Sequence, residues 1–284
     1  MIGKTCIITG ATGGIGLATA ARLGALGARL VLVGRDRDKG AAALARLRAD
    51  VPRVAVEMHY GDLSRPDEVL RLADALLYAA PRIDVLLNNA GAIYARRETT
   101  PDGLELTFAL NHMGYFRLTS LLHPRLIASA PARVVNVASE AHRGAALDFE
   151  DLQSSKAYNG WRAYQRSKLA NILFTRELSR RLEGTSVTAN CLHPGFVASG
   201  FGDNNRGIWR FGIAIGKLLA AIPVERGAET PAYVASSPEL DDVSGKYFDK
   251  CRDREPDAPA RDNRAAARLW AESERLAGLK LPRL

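Results

Sequence analysis

A chain of 284 residues, 47% hydrophobic and 25% charged, is long enough to bury a core without help from metal or disulfide. Its net charge of +8 comes from basic residues scattered along the chain, in isolated pairs such as Arg96-Arg97 and Arg180-Arg181. That distribution reads as a solvated basic surface that can attract an anionic cofactor, and excludes the clustered basic and aromatic residues of a nucleic-acid-binding protein. Along the chain, Cys6-Ile7-Ile8 forms a first strand, followed by a glycine-rich turn and a helix from Ile15 to Leu26. Arg29–Val33 is a second strand and Asp36–Asp50 a helix; Arg53–Met58 is a third strand and Pro66–Ala79 a helix. Ile83–Leu87 is a fourth strand, Asp102–Ala128 a long helix and Arg133–Val137 a fifth strand. Ala163–Leu182 is a helix, Val187–Leu192 a sixth strand and Gly245–Phe248 the last, and a polar tail from Pro256 turns helical near Arg261.

Near-continuous apolar strands that alternate with helices imply βαβ units and a parallel sheet buried on both faces. The expected fold is therefore α/β: a Rossmann-type doubly wound parallel sheet of about seven strands flanked by helices. No linker or internal repeat divides the chain, so residues 1–284 read as one domain. Cys6, Cys191 and Cys251 have no C-x-x-C spacing and imply a reducing compartment. No signal peptide or membrane-length apolar run is present; the nearest, Ile208–Pro223, is broken by Arg210 and Lys217. The expectation is a cytoplasmic protein without stable membrane insertion and without a bound metal.

Thr9-Gly10-Ala11-Thr12-Gly13-Gly14-Ile15-Gly16 joins the first strand to the first helix. Such a turn lets the backbone approach a pyrophosphate, and the helix N-terminus supplies free N–H groups. The spacing fits both T-G-x-x-x-G-x-G and T-G-x-x-G-x-x-G, so the loop alone does not choose between short dehydrogenases and extended epimerases. The second strand ends Val33-Gly34-Arg35-Asp36. Gly34 leaves no carboxylate to repel a 2′-phosphate and Arg35 offers a charged fork to it, which favours NADP(H) over NAD(H). Asp36 is the competing ribose ligand, read here instead as the N-cap of the following helix. Gly13 stands where many NADP-binding loops carry a second basic residue.

Tyr164 and Lys168 lie four residues apart, on one face of a helix. A nearby ammonium favours the phenolate and makes Tyr164 a general acid/base for a carbonyl/alcohol couple. Ser139 ends the fifth strand, on the edge where open α/β sheets bind ligands. Asn111 is a polar residue among apolar neighbours in the long helix and is expected to face inward.

With Asp62-Leu63, Asn88-Asn89-Ala90-Gly91 and Pro194-Gly195 added in the same order, the chain resembles a short-chain dehydrogenase/reductase across its length. The resemblance implies that Tyr164 moves the proton, Ser139 positions the substrate oxygen and Lys168 holds the nicotinamide ribose and lowers the Tyr164 pKa. Asn111 would anchor a water in a relay through Lys168. Gly10, Thr12, Gly13, Gly14, Ile15, Gly16, Arg35, Asp62, Leu63, Asn89, Ala90 and Gly91 would contact the cofactor, with Tyr164, Lys168, Pro194, Gly195 and Val197 at its nicotinamide end.

The long spacing from Ser139 to Tyr164, with Leu147-Asp148-Phe149-Glu150-Asp151-Leu152 between them, is similar to the retinol dehydrogenase and protochlorophyllide reductase-like branch. So are Ser167-Lys168-Leu169-Ala170-Asn171 and Cys191-Leu192-His193-Pro194-Gly195. The branch implies hydride exchange between NADP(H) and a small apolar aldehyde, ketone or retinoid-like alcohol. Residues 200–223, apolar from Asn205 onward, are expected to form a substrate lid, with a subunit contact or transient membrane contact as the alternatives. A homo-oligomer fits the family's use of its long helices. The rival class, a catalytically silent NADP(H) sensor or scaffold, would have lost Tyr164 or Lys168.

Overall fold

Apolar runs with β-branched residues build the centre of the computed structural model, which describes residues 1–197 and 222–279. Strands β1 (Thr5–Thr9), β2 (Arg29–Gly34), β3 (Val56–Tyr60), β4 (Val85–Asn88), β5 (Ala132–Val137), β6 (Val187–His193), β7 (Tyr247–Asp249) and β8 (Arg252–Arg254) form one sheet. Their spatial order is β3-β2-β1-β4-β5-β6-β7-β8. Every pairing is parallel except that of β7 with β8. The lid expected at 200–223 falls outside the described residues apart from Ile222 and Pro223.

The helices are α1 (Gly14–Ala25), α2 (Arg37–Asp50), α3 (Pro66–Ala79), α4 (Leu106–Phe108), α5 (Gly114–Ala128), α6 (Gly160–Arg181), α7 (Val224–Gly227), α8 (Glu229–Ser236) and α9 (Asn263–Ala277). Alternation along the strands splits the core in two. Ile7, Val31 and Val134 face Leu72 of α3, Phe116 of α5, Phe174 of α6 and Trp270 of α9. Ile8, Leu32 and Val135 face Leu23 of α1, Leu47 of α2 and Val234 of α8. The chain leaves β1 for β2 on one side and reaches β4 on the other, so the loops after β1 and β4 diverge and open a crevice.

Several details depart from the expected elements. An eighth strand pairs behind β7 through Lys250 and Cys251, at φ 50° and 58°, a tight hairpin turn made without glycine or asparagine. Strand β3 begins at Val56 rather than Arg53. The long helix begins at Leu106 rather than Asp102, because Glu105 caps it, accepting from the Thr107 and Phe108 N–H groups at 2.7 and 2.8 Å. Asp102 lies outside, where it accepts from Thr100 Oγ1 and from Arg117, and Gly103 at φ 82° breaks the backbone. The same helical stretch widens into a π turn over Ala109–Met113, which carries Asn111.

His112, beside Asn111, is enclosed by Phe108, Phe116 and Phe174, and its Nε2 lies 2.8 Å from Ser273 Oγ of α9. Burial drops its pKa to about 3, with a hydrogen bond to Asn171 acting weakly the other way. Between its unfolded value near 6.5 and about 3, only the unfolded chain binds this proton, so stability falls as pH falls through that window. Thermal unfolding between pH 7 and 4 should therefore show a declining midpoint, and His112→Phe should flatten the decline.

Candidate active site

The crevice beside β1 is a cavity of about 560 Å³, lined by Gly10, Thr12 to Gly16, Arg35, Asp62, Leu63 and Asn89 to Gly91 among others. Asn89 staples the glycine loop to the end of β4: its Nδ2 donates to the carbonyls of Thr9 at 2.8 Å and Gly10 at 3.2 Å. Thr9 Oγ1 accepts from the N–H groups of Asn89 and Ala90. Helix α1 starts at the cavity with no side-chain cap and no acidic residue in its first turn, so its N–H groups and positive end face the opening. Asp36 does cap α2, accepting from Asp38 N and Lys39 N at 3.0 Å each.

At the far end, Arg35 lies 3.4 Å from Asp62 and also hydrogen-bonds Tyr94. Asp62 is fixed in turn, accepting from the Ser64 N–H at 2.9 Å and from the Ser64 hydroxyl at 2.7 Å.

The second half of the site stands on β5 and α6. Tyr164 is 8% exposed and Lys168 3%. Burial pushes the Tyr164 phenol up to about 12, and its hydrogen bond to Ser139 acts against that rise. Burial pulls the Lys168 ammonium down to about 7. Lys168 Nζ donates to the Val137 carbonyl at 3.0 Å and lies 5.6 Å from the Tyr164 ring centroid and 5.9 Å from that of Tyr115. A carbonyl dipole and two ring faces thus compensate for lost water. Ser139 caps the short 3₁₀ turn Glu140–His142, its Oγ accepting from Ala141 N at 3.2 Å.

Asn111 is fully buried and spends its side chain on the backbone. Its Oδ1 accepts from Ala92 N at 2.9 Å, and its Nδ2 donates to the Ala92 carbonyl and to Ser167 Oγ, both at 2.9 Å. Ser167 Oγ donates onward to the Tyr164 carbonyl at 2.7 Å, so the π turn is tied to the helix turn that carries Tyr164 and Lys168. A Cβ on Gly91 would meet Asn111 Oδ1 at 3.2 Å and Lys168 Nζ at 3.5 Å; glycine there lets the loop after β4 lie against both groups.

The sequence model of the family described as short chain dehydrogenase matches residues 4–207. The chain belongs to the short-chain dehydrogenase family. Over 286 residues it is 42% identical to human retinol dehydrogenase 13, covering 99% of this chain and 86% of that protein. Over 282 residues it is 43% identical to dehydrogenase/reductase SDR family member 13 of Bos taurus, covering 98% and 74%. These relatives place it on the retinol dehydrogenase branch. The solved structure of an uncharacterized protein from Mycobacterium paratuberculosis superposes with a TM-score of 0.77 at 33% identity, over 99% of this chain and 96% of that one. A short-chain dehydrogenase from Burkholderia cenocepacia in complex with NADP shares the fold, at a TM-score of 0.67 and 24% identity.

Short-chain dehydrogenases bind a nicotinamide dinucleotide, and the crevice passes a direct test of fit. A Cβ on Gly13 would meet no protein atom within 4 Å, at a φ of 175° open to any residue. The face of the loop at this position is therefore open to a ligand. Gly16 differs, since its Cβ would come within 2.4 Å of the Gly10 carbonyl oxygen.

The cavity gathers all of the expected contacts from Gly10 to Gly91. It does not include Tyr164, Lys168, Pro194, Gly195 or Val197 in its lining; Gly195, at φ 88°, packs against Ile222, and Val197 bridges to the same residue. Sequence reasoning passed over Lys39, Tyr94 and Leu110, which line the cavity too. Lys39 is the second cation that the glycine loop lacks, and its position one turn into α2 was readable from the Asp36 cap. Gly34 also has a packing role, because a Cβ there would lie 2.3 Å from Thr12 Cγ2.

Gly13→Arg is expected to leave the melting temperature unchanged while tightening the binding of a dinucleotide that carries a 2′-phosphate, because the space over Gly13 is open. Gly16→Ala should instead destabilise the fold by about 1–3 kcal/mol through overpacking. Calorimetry with and without cofactor separates the two effects.

Proposed function

We propose that the protein transfers hydride between NADP(H) and the carbonyl or alcohol carbon of a small apolar substrate, an aldehyde, ketone or retinoid-like compound. The observation that carries this reading is the buried Tyr164 phenol, hydrogen-bonded to Ser139, with the Lys168 ammonium one helical turn away. Family membership supports oxidoreductase chemistry on an alcohol/carbonyl pair. A bound nicotinamide supplies or accepts the hydride.

The chain's own residues do the rest. Ser139 holds the substrate oxygen beside Tyr164. With its pKa near 12 the phenol keeps its proton at neutral pH and can donate it to an oxygen that gains negative charge. Lys168, while charged, stabilises the phenolate left behind. Asn111 keeps this pair in register with the cofactor-side loop through Ala92 and Ser167; its amide is committed to those bonds, so a relay water would have to use its backbone.

Arg35 and Lys39 at the far end of the crevice support NADP(H) over NAD(H), since both cations line the cavity and no carboxylate stands directly after β2. Pro194, Gly195 and Val197 follow β6 toward the nicotinamide end. Trp161, 48% exposed, packs its ring 5.8 Å from that of Tyr164, and Phe196 is 50% exposed. The Trp161 ring beside the reacting group supports an apolar substrate, as does the likeness to proteins named retinol dehydrogenases. The continuous sheet supports the reading of residues 1–284 as one domain. Free thiols at Cys6, Cys191 and Cys251 support a reducing, cytoplasmic setting.

The direct test is oxidation of NADPH, with NADH in parallel, on a panel of apolar aldehydes and ketones that includes retinal. Turnover should occur with NADPH and fall by roughly a hundredfold or more in Tyr164→Phe. Tight NADPH binding without turnover on any carbonyl would instead favour a silent sensor. Arg35→Ala and Lys39→Ala should each weaken NADPH by about tenfold or more while leaving NADH unchanged, the cost of one charge-assisted contact to phosphate. The kcat/KM for NADPH, which reports the free protein, should decline above about pH 7 as Lys168 loses its proton. In Lys168→Arg, whose cation does not titrate, this alkaline decline should disappear.

A further inference from the structure

Ser139 is held in place by a turn that is itself gripped from distant parts of the chain. The Glu140 N–H donates to His193 Nδ1 at the end of β6, at 3.1 Å, and the Tyr247 hydroxyl of β7 donates to Glu140 Oε2 at 3.1 Å. Arg143 pairs with Glu140. None of these contacts touches Ser139 directly. His142 does: its Nδ1 lies 2.6 Å from the Ser139 carbonyl oxygen, which also accepts from the His142 backbone N–H at 3.1 Å.

The His142 ring is fully buried, with the Tyr247 ring edge-on at 5.1 Å between centroids. Its other nitrogen, Nε2, faces Asp257 Oδ1 at 3.5 Å. Both atoms are buried, and neither has a hydrogen-bond partner among the described residues. The second oxygen of Asp257 accepts from Gly144 N at 2.9 Å, just past the turn. A carboxylate from the segment beyond β8 therefore touches the turn twice, once through the imidazole that bonds Ser139.

Mutually facing buried polar atoms that stop short of a full bond are costly, and they are not needed to fold this turn, which already has its own backbone bonds. Their arrangement has a mechanical consequence. Nδ1 bonds the carbonyl of the same residue whose hydroxyl bonds Tyr164, so the imidazole holds the Ser139 peptide and, through it, the Cα that carries Oγ.

We propose that His142 and Asp257 form a positioning couple that sets the Ser139 hydroxyl against Tyr164, making the C-terminal segment part of the active-site machinery. This rests on the reading of Ser139 and Tyr164 given above. His142 acts through Ser139 and touches no reacting atom. A displacement of about 1 Å at such a group is enough to cost on the order of a hundredfold in rate.

The test combines kinetics with crystallography. His142→Ala and Asp257→Asn are compared with wild type, and kcat is expressed per bound NADPH so that misfolded protein drops out. Asp257→Asn keeps an oxygen for Gly144 N and loses only the carboxylate that faces His142, so it folds even where His142→Ala does not. Both variants should lose about tenfold or more in kcat with the KM for NADPH unchanged. The double variant should be no slower than His142→Ala. His142→Asn, whose amide nitrogen sits near the place of Nδ1 but which offers nothing at Nε2 to face Asp257, should be no faster than Asp257→Asn. Crystal structures of the variants should show Ser139 Oγ moved away from the Tyr164 hydroxyl.

An unmoved Ser139, an unchanged kcat or losses that multiply in the double variant would overturn the couple. A wild-type protein that turns over no carbonyl would overturn the functional reading instead, and the position of Ser139 in the variant crystals would still decide the couple.

Discussion

The interaction on which the site depends is the burial of the Lys168 ammonium. Removing a cation from water is expensive, and the structure meets that cost locally, with the Val137 carbonyl at the end of β5 and the faces of Tyr164 and Tyr115. The compensation is partial, which is why the ammonium sits near neutrality in its pKa rather than far above it. It also requires the end of β5, the middle of α6 and the start of α5 to hold fixed distances. The same desolvation that lowers Lys168 raises Tyr164, so one dry pocket sets both members of the pair.

Holding those elements together falls to a polar row inside the sheet. Asn88 of β4 donates to Asn136 of β5 at 2.8 Å and to Thr119 of α5 at 3.0 Å. Asn136 donates to Thr175 of α6 at 2.9 Å, and Thr175 to the Asn171 carbonyl. Apolar packing would stabilise the layers equally well, but hydrogen bonds of fixed length also set register between strand and helix. The π turn at Ala109–Met113 belongs to this logic: its local widening goes with an Asn111 side chain that reaches both Ala92 and Ser167. The loop after β4 and the helix that carries Tyr164 and Lys168 are thus joined by one side chain.

The fold class was legible because buried parallel strands write themselves as apolar runs, and the glycine loop because its position between strand and helix is local information. Tyr164 and Lys168 were legible for a similar reason, since a spacing of four on a helix fixes a shared face. Strand β8 escaped because its hairpin turns on Lys250 and Cys251, which carry none of the usual signal for positive φ. The π turn escaped because its cause is tertiary, the clamp on Ala92 and Ser167. Lys39 escaped because it lies on the helix beside Arg35 and not in the glycine loop, where the motif puts a second cation. His142 and Asp257 lie far apart in sequence, and only the fold brings them to one turn.

The most direct test of the central claim is the titration of Lys168 itself, followed by NMR through the side-chain carbon next to the ammonium in lysine-labelled protein, with Lys168→Met to assign the signal. Lys168 is expected to titrate near pH 7, well below the ordinary lysine value of 10.5. A Lys168 signal that titrates at the ordinary lysine value of 10.5 would contradict it, and would mean that the pocket is wet and the phenol is tuned by something else.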